Sequence, residues 1–344
     1  GTVMTPPAPD VPSAPGAHGA HRAHGAPDSP GAPGIPCTCG APVATRPRRR
    51  LRLGDRCFEL ADRTLIMGVV NCTPDSFFAE SRRPEPDQAV RRYHEVVEQG
   101  ADWVDVGGES TRPGAEPVAA DEEWRRIEPV IEAARRAGHP RPLSVDTTKL
   151  AVAARALEAG AVIVNDVSAL RSEPRLAQLV SRYRAGLVLM HMRGTPRTMQ
   201  EDPTYADVVG EVRAALAAAV TGALDAGVAE EQILIDPGIG FGKTLAHNLE
   251  ILRRLNEFSL LGRPLLIGCS RKGFIGAILD SPPAERLEGT LAAHVLAACR
   301  GAHVVRVHDV RAHVRALRVL DAVLGRTEPE AGCRGPSTLN GCAT

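Results

Sequence analysis

The feature that most constrains this chain is a rhythm in its middle section. Eight short, apolar, β-rich runs recur there, and each gives way to a polar side chain near its C-terminal end. They are LIMGVVN at Asn71, WVDV with Asp105, PLSVD at Asp146, AVIVND at Asn165, GLVLMH at His191, QILIDP at Asp236, PLLIGCS at Ser270 and HVVRVHD at His308. Longer stretches with helical spacing lie between them: PDQAVRRYHEVVEQG to Gly100, DEEWRRIEPVIEAARRAG to Gly138, TKLAVAARALEAG to Gly160, a long segment over 205–227, and HNLEILRRLNEF. Glycine at the end of several of these is the expected helix stop. Strands alternating with helices are the mark of βα units around a parallel sheet.

Eight such units over about 270 residues fit a closed (β/α)8 TIM barrel better than an open doubly wound sheet, which needs fewer strands. The barrel is expected over residues 51–325. Residues 1–50 are Pro, Gly and Ala-rich with few large apolar side chains, too little to offset the entropy of ordering, and 326–344 return to that composition; both read as disordered. His18, His21 and His24 in the extension read as part of a solvated tract, and RPRRRLRLGDR, 46–56, as a solvated basic lead-in. Met4 is a candidate initiator.

Charge and cysteine content narrow the function classes. The chain of 344 residues is 43% apolar and carries 41 basic and 41 acidic side chains, so no excess charge points to nucleic acid or an anionic membrane. The absence of a long apolar span or a compact secretory segment leads to a cytoplasmic expectation. The 8 cysteines form no CxxC pair, and a core of this size does not need disulfides. Cys72, Cys269 and Cys299 read as reduced packing residues.

In a (β/α)8 barrel the C-terminal strand ends form the active face, so the polar exits aim side chains into one site. Asp146, Asn165 and Asp236, with Lys272 past the seventh run, make donors and acceptors suited to the edge of a flat heterocycle; a carboxylate pairs with an amidine-like N–H face as it does with guanidinium. Arg306 and His308 alternate with Val305 and Val307, so both face one side of the last strand, where two cations suit a phosphate or diphosphate. Asn71 is a candidate oxygen ligand for a Mg2+ that keeps most of its waters and bridges the phosphates. Two loops stand over this set. GGESTRPGAEP after the second run carries Thr111, Arg112 and Pro113, with Arg112 placed to act as a lid residue, and the segment 71–83 carries Phe77, able to stack on a ring. GFGKT, 240–244, lacks the full phosphate-loop spacing and reads as a turn into a helix.

The segments MGVVNCTPDSF, DVGGESTRPGA, SVDTT, NDVS, MHMRGTPRTMQ, DPGIGFGKT, SRKGFIG and RVHDV, in this order over residues 65–310, resemble the dihydropteroate synthase family. The resemblance implies a TIM barrel that joins 4-aminobenzoate to (7,8-dihydropterin-6-yl)methyl diphosphate and releases diphosphate in folate synthesis, with sulfonamides mimicking the aminobenzoate. Carried over, Asp146, Asn165, Asp236 and Lys272 serve the pterin, and Asn71, Thr111, Arg306 and His308 the diphosphate with Mg2+. Phe77, Thr111, Arg112, Pro113 and Ser270 serve the aminobenzoate, and Asp146, Asp236, Lys272 and Arg112 are the expected catalytic groups. A homodimer is implied by the resemblance alone. One departure stands out: where the family reads SDGG after TPDSF, this chain has Phe78, Ala79, Glu80 and Ser81. Competing readings are a pterin-dependent methyltransferase, disfavoured by Arg306 and His308, and a pterin-binding paralogue without synthase activity, supported only by that loop.

Overall fold

The computed structural model describes residues 46–60, 63–73, 85–112, 114–326 and 338–339. Its centre is an eight-stranded parallel sheet: β3 Leu65–Asn71, β4 Trp103–Gly107, β5 Leu143–Asp146, β6 Ile163–Asp166, β7 Gly186–Met190, β8 Ile233–Asp236, β9 Leu266–Ile267 and β10 Val304–Val307. Neighbours in sequence are neighbours in space, and β10 returns to pair with β3. A parallel bridge between Ile235 and Leu265 joins β8 to the entry of β9 and closes the barrel. The TIM-barrel reading therefore holds, strand by strand.

The helices are α1 Glu85–Glu98, α2 Ala120–Arg136, α3 Leu150–Glu158, α4 Leu176–Tyr183, α5 Val208–Asp225, α6 Leu245–Arg253, α7 Gly273–Leu279, α8 Leu287–Cys299 and α9 Val310–Val323. They pack around the sheet through outward-facing strand residues such as Val104, Val106, Leu187, Leu189, Val305 and Val307. The expected stops at Gly100, Gly138 and Gly160 all adopt left-handed backbone.

The N-terminal end of the barrel holds a correction. Residues 46–56 are not a solvated lead-in. An antiparallel hairpin of β1 Arg49–Leu53 and β2 Arg56–Leu60 runs under the barrel. Leu51, Leu53, Phe58 and Leu60 pack on Leu65, Met67, Trp103, Ile163, Val188, Leu234, Leu266 and Val304. Arg48 and Arg52 face the other way, Arg48 meeting Glu59 at 2.8 Å and Arg52 lying 3.5 Å from Glu231, while Arg46 is buried against Thr64. The alternation LRL was a strand signal hidden by the charge count. Two residues expected to belong to a disordered tail, β11 Thr338–Leu339, pair with β2.

Cys72 and Cys269 are buried free thiols pushed up to about 12 by that burial, which makes them packing groups. Cys57 on β2, to which the sequence reading gave no role, is disulfide-bonded.

Candidate active site

Alternate residues of each barrel strand face the axis, and their chemistry changes with height. At the lower level they are apolar apart from the buried Ser144 on β5: Trp103, Ile163, Leu234 and Val304 all belong to the cluster on the hairpin. One step further along the same strands, two residues on, stand Asp105, Asn165, Asp236 and Arg306, and Asp146 ends β5 beside Asn165 in register.

Arg306 is the hub of this upper level. Its Nε donates to Asp105 Oδ2 at 2.7 Å and its Nη2 to Asp146 Oδ2 at 2.9 Å. Asn165 Nδ2 donates to the same Asp105 oxygen at 3.1 Å. The other Asp105 oxygen is enclosed and has no hydrogen-bond partner among the described residues. Burial pushes the Asp146 carboxyl up, to about 7, against the pull of Arg306 and with the neighbouring Asp105 adding to it. A carboxylate held this far from water is poised to take an N–H donor.

Asp236 sits at the exit of β8, where Gly238 N–H donates to its Oδ1 at 2.7 Å. Lys272 Nζ donates to Ile239 O and stands 4.6 Å from the centre of the Phe241 ring. Burial lowers the Lys272 ammonium to about 8, with Asp236 opposing. Burial likewise raises Asp236, with Lys272 opposing. The GFGKT turn leads into α6, and Lys243 is folded inward, donating to Gly238 O and Phe241 O at 2.9 Å each and lying 3.0 Å from His191 Nδ1. It braces the loop that carries Phe241 and cannot reach a phosphate.

At the far side, His308 N–H donates to Ser270 Oγ at 3.1 Å, and His308 Nδ1 lies 2.8 Å from the same oxygen. Arg271 clamps Asp309 through two bonds of 2.9 and 2.6 Å. Burial, with Arg306 adding, pushes His308 down to about 3, so it offers a neutral ring rather than the second positive charge that its strand position suggests. Asn71 ends β3 half-buried, Thr111 is half-buried and Arg112 is exposed. Phe77, Pro113 and the altered segment Phe78 to Ser81 lie outside the described residues.

The structure thus brings together Asp146, Asn165, Asp236, Lys272 and Arg306 at one level, with Ser270 and His308 beside them. The residue the sequence reading underused is Asp105. It stood among the polar exits but received no role, although its place two residues after Trp103 on the same strand put both on the axial side. Among the described residues no group of three or more His, Cys, Asp or Glu could hold a metal. A cation here would depend on Asn71, water and ligand oxygens, a donor set that suits Mg2+ better than a softer metal.

With this geometry in place, likeness to known proteins becomes informative. The pterin binding enzyme family matches residues 67–308. The dihydropteroate synthase of Synechocystis sp. is 45% identical over 274 residues, covering 79% of this chain and 94% of the relative. The chain belongs to the dihydropteroate synthase family. Among solved structures of that family, the Xanthomonas albilineans enzyme with 4-aminobenzoic acid matches with a TM-score of 0.75 at 45% identity, over 80% of this chain and 98% of its own. The same enzyme in complex with 7,8-dihydropteroate matches with a TM-score of 0.71 at 43% identity, with the same coverage. The match to the pterin binding enzyme family runs from within β3 to just past β10, so the C-terminal strand ends described above fall within it. No described helix is long and apolar enough to cross a membrane.

Proposed function

We propose that this protein condenses (7,8-dihydropterin-6-yl)methyl diphosphate with 4-aminobenzoate to give 7,8-dihydropteroate and diphosphate. The observation that carries the reading is the charged level inside the barrel. Carboxylates at Asp146 and Asp236 and the Asn165 amide stand beside cations at Lys272 and Arg306, over an apolar floor.

In this reading Asp146 and Asp236 accept the N–H groups of the pterin, Asn165 and Lys272 complete its edge, and the Phe241 ring under Lys272 is available to its face. Arg306 and the neutral N–H of His308 receive the diphosphate, with Asn71 and Thr111 at the same end. Mg2+, held by Asn71 and ligand oxygens, supplies charge neutralisation of the diphosphate when bound.

The substitution is S_N1-like. The C–O bond to diphosphate breaks with its electron pair leaving on oxygen, and the fixed cations stabilise that charge. The methylene left behind has cationic character spread into the pterin, and the Asp146 and Asp236 carboxylates stabilise it electrostatically. The arylamine, neutral at pH 7, forms the new C–N bond and releases a proton to solvent. It needs placement and exclusion of water more than activation, which falls to Ser270, Arg112 and the arms after β3 and β4. The protein acts in this reading as a soluble homodimer.

The test is release of diphosphate by the purified protein with the pterin diphosphate and Mg2+, with and without 4-aminobenzoate, alongside mass detection of dihydropteroate. Product that depends on aminobenzoate is the expected result. Pterin binding without product would defeat the reading in favour of a non-catalytic paralogue.

A further inference from the structure

Glu109 follows the glycine pair at the exit of β4, and both of its carboxylate oxygens are taken. Oε2 pairs with Lys149 Nζ at 2.8 Å, and Oε1 accepts Val118 N–H at 2.7 Å. The second bond ties the two ends of the arm to each other, so the segment carrying Ser110, Thr111 and Arg112 leaves and returns through one point. Lys149 also reaches Glu123 Oε2 on α2 at 2.6 Å, and the Glu123 side chain is wholly enclosed.

Lys149 itself belongs to the exit of β5, three residues past Asp146, where its N–H donates to Thr147 Oγ1 at 3.1 Å. One ammonium therefore links the exit of β4, the exit of β5 and the first turn of α2. The backbones there are in close contact: a Cβ on Gly108 would lie 2.7 Å from Glu123 O, and Arg126 Nη1 donates to Gly108 O at 3.0 Å. Further out, Gly114 N–H donates to Pro196 O at 3.1 Å, so the arm reaches across toward the segment after β7. Desolvating two carboxylates and an ammonium is costly, and apolar side chains of similar volume would hold α2 to β4 at least as well. What the charges add is direction, because each of the three groups fits only one placement of the others.

We infer that Lys149 is a positioning residue for aminobenzoate: by joining Glu109 to Glu123 it fixes the root of the arm, and so the placement of Thr111 and Arg112, without touching either substrate. The inference rests on the reading that this arm serves the aminobenzoate.

The test uses the full chain with Lys149→Met, Lys149→Arg, Glu109→Gln and the Lys149→Met/Glu109→Gln double variant. The KM of each substrate is measured, and binding of the pterin diphosphate is followed by calorimetry. Losing one partner of this part-buried ion-pair cluster, where Lys149 is the only cation on the enclosed Glu123 among the described residues, should raise the KM for aminobenzoate about tenfold, with pterin diphosphate affinity within about twofold. Lys149→Arg should recover most of the loss, and the double variant should be no worse than the weaker single one, because the two residues act through one contact. Equal weakening toward both substrates, or a lower Tm with both KM values unchanged, would overturn the inference. Should Lys149→Met fail to fold, Glu109→Gln carries the same test, since its side chain is partly exposed and retains the Val118 acceptor. A wild-type protein that binds pterin diphosphate and makes no dihydropteroate overturns the parent reading and this inference with it. Wild-type synthesis with an unchanged aminobenzoate KM in the variants overturns the inference alone.

Discussion

The two ends of the barrel interior are built by the same eight strands and differ in kind. At the N-terminal end the axial side chains are Leu65, Met67, Trp103, Ile163, Val188, Leu234, Leu266 and Val304, sealed from below by the β1–β2 hairpin. Two residues further along, a rise of about 6–7 Å, stand Asp105, Asn165, Asp236 and Arg306, with Asp146 and Lys272 beside them. The lower level supplies cohesion, and the upper level supplies chemistry. The first also serves the second: a dry floor removes water from beneath the charges, which strengthens their mutual attraction and moves their proton affinities.

Arg306→Leu should break the upper level most severely. It leaves Asp105 and Asp146 enclosed without their cation, and it removes the positive group that the proposed function assigns to the diphosphate. A loss in kcat/KM of about a thousandfold or more is expected for so central an electrostatic group, with unfolding free energy down by about 3–5 kcal/mol from the unpaired buried charge. Leu51→Ala acts from the other end. It truncates a fully buried side chain of the hairpin and should cost about 2–5 kcal/mol of stability, measured by urea titration. At a temperature where the variant stays folded, its kcat/KM should remain within about twofold of the parent, since additivity holds between distant sites. A Leu51→Ala protein of normal stability but with failed kinetics would mean that the two ends are not separable.

How much of this was legible beforehand depended on which physical signal carried it. The barrel was legible because eight apolar runs with polar exits admit few architectures, and Asp146, Asn165, Asp236 and Arg306 followed from their strand-end positions. The hairpin was missed because Arg48, Arg50 and Arg52 dominated the reading of a segment whose alternate residues, Leu51 and Leu53, are the buried ones. Helix α8 has no polar face to give it a period, so its pattern gave no comparable helical signal. Pair partners such as Arg306 with Asp105 are separated by 201 residues, and only the closed barrel brings them within 2.7 Å. The neutrality of His308 was likewise out of reach, since it comes from burial that no local pattern encodes.

The upper level should also reveal itself in a pH profile. Asp146 is raised to about 7 and Lys272 lowered to about 8. Below the first value the carboxyl is protonated and loses the charged pairing with the pterin that the proposed function gives it; above the second the ammonium is lost. The kcat/KM for pterin diphosphate, which reports the free enzyme, should therefore rise through about pH 7 and fall above about pH 8. For stability the sign differs. The folded state holds the Asp146 proton more tightly than the unfolded chain, so this group's contribution decreases as pH rises from its ordinary value of 3.8 toward 7. Asp146→Asn should remove the acidic limb of the rate profile and flatten that part of the stability curve. An acidic limb that persists in Asp146→Asn would assign it to another group.

The smallest expected effect sharpens the boundary between the two substrate ends. Ser270 Oγ accepts the His308 N–H and lies 2.8 Å from His308 Nδ1, so in the structure the hydroxyl is spent on holding the imidazole. Family resemblance instead places Ser270 with the aminobenzoate. Ser270→Ala removes the hydroxyl and leaves the backbone turn in place. If its main work is to orient His308, the KM for pterin diphosphate should rise by about two- to tenfold, the worth of a neutral hydrogen bond of 0.5–1.5 kcal/mol, and the KM for aminobenzoate should stay put. The opposite split would mean that the hydroxyl leaves His308 when aminobenzoate binds. Because His308 is neutral, any service to the proposed diphosphate lies in where its ring N–H points, and the Ser270 hydroxyl 2.8 Å from Nδ1 is the contact that would fix that direction.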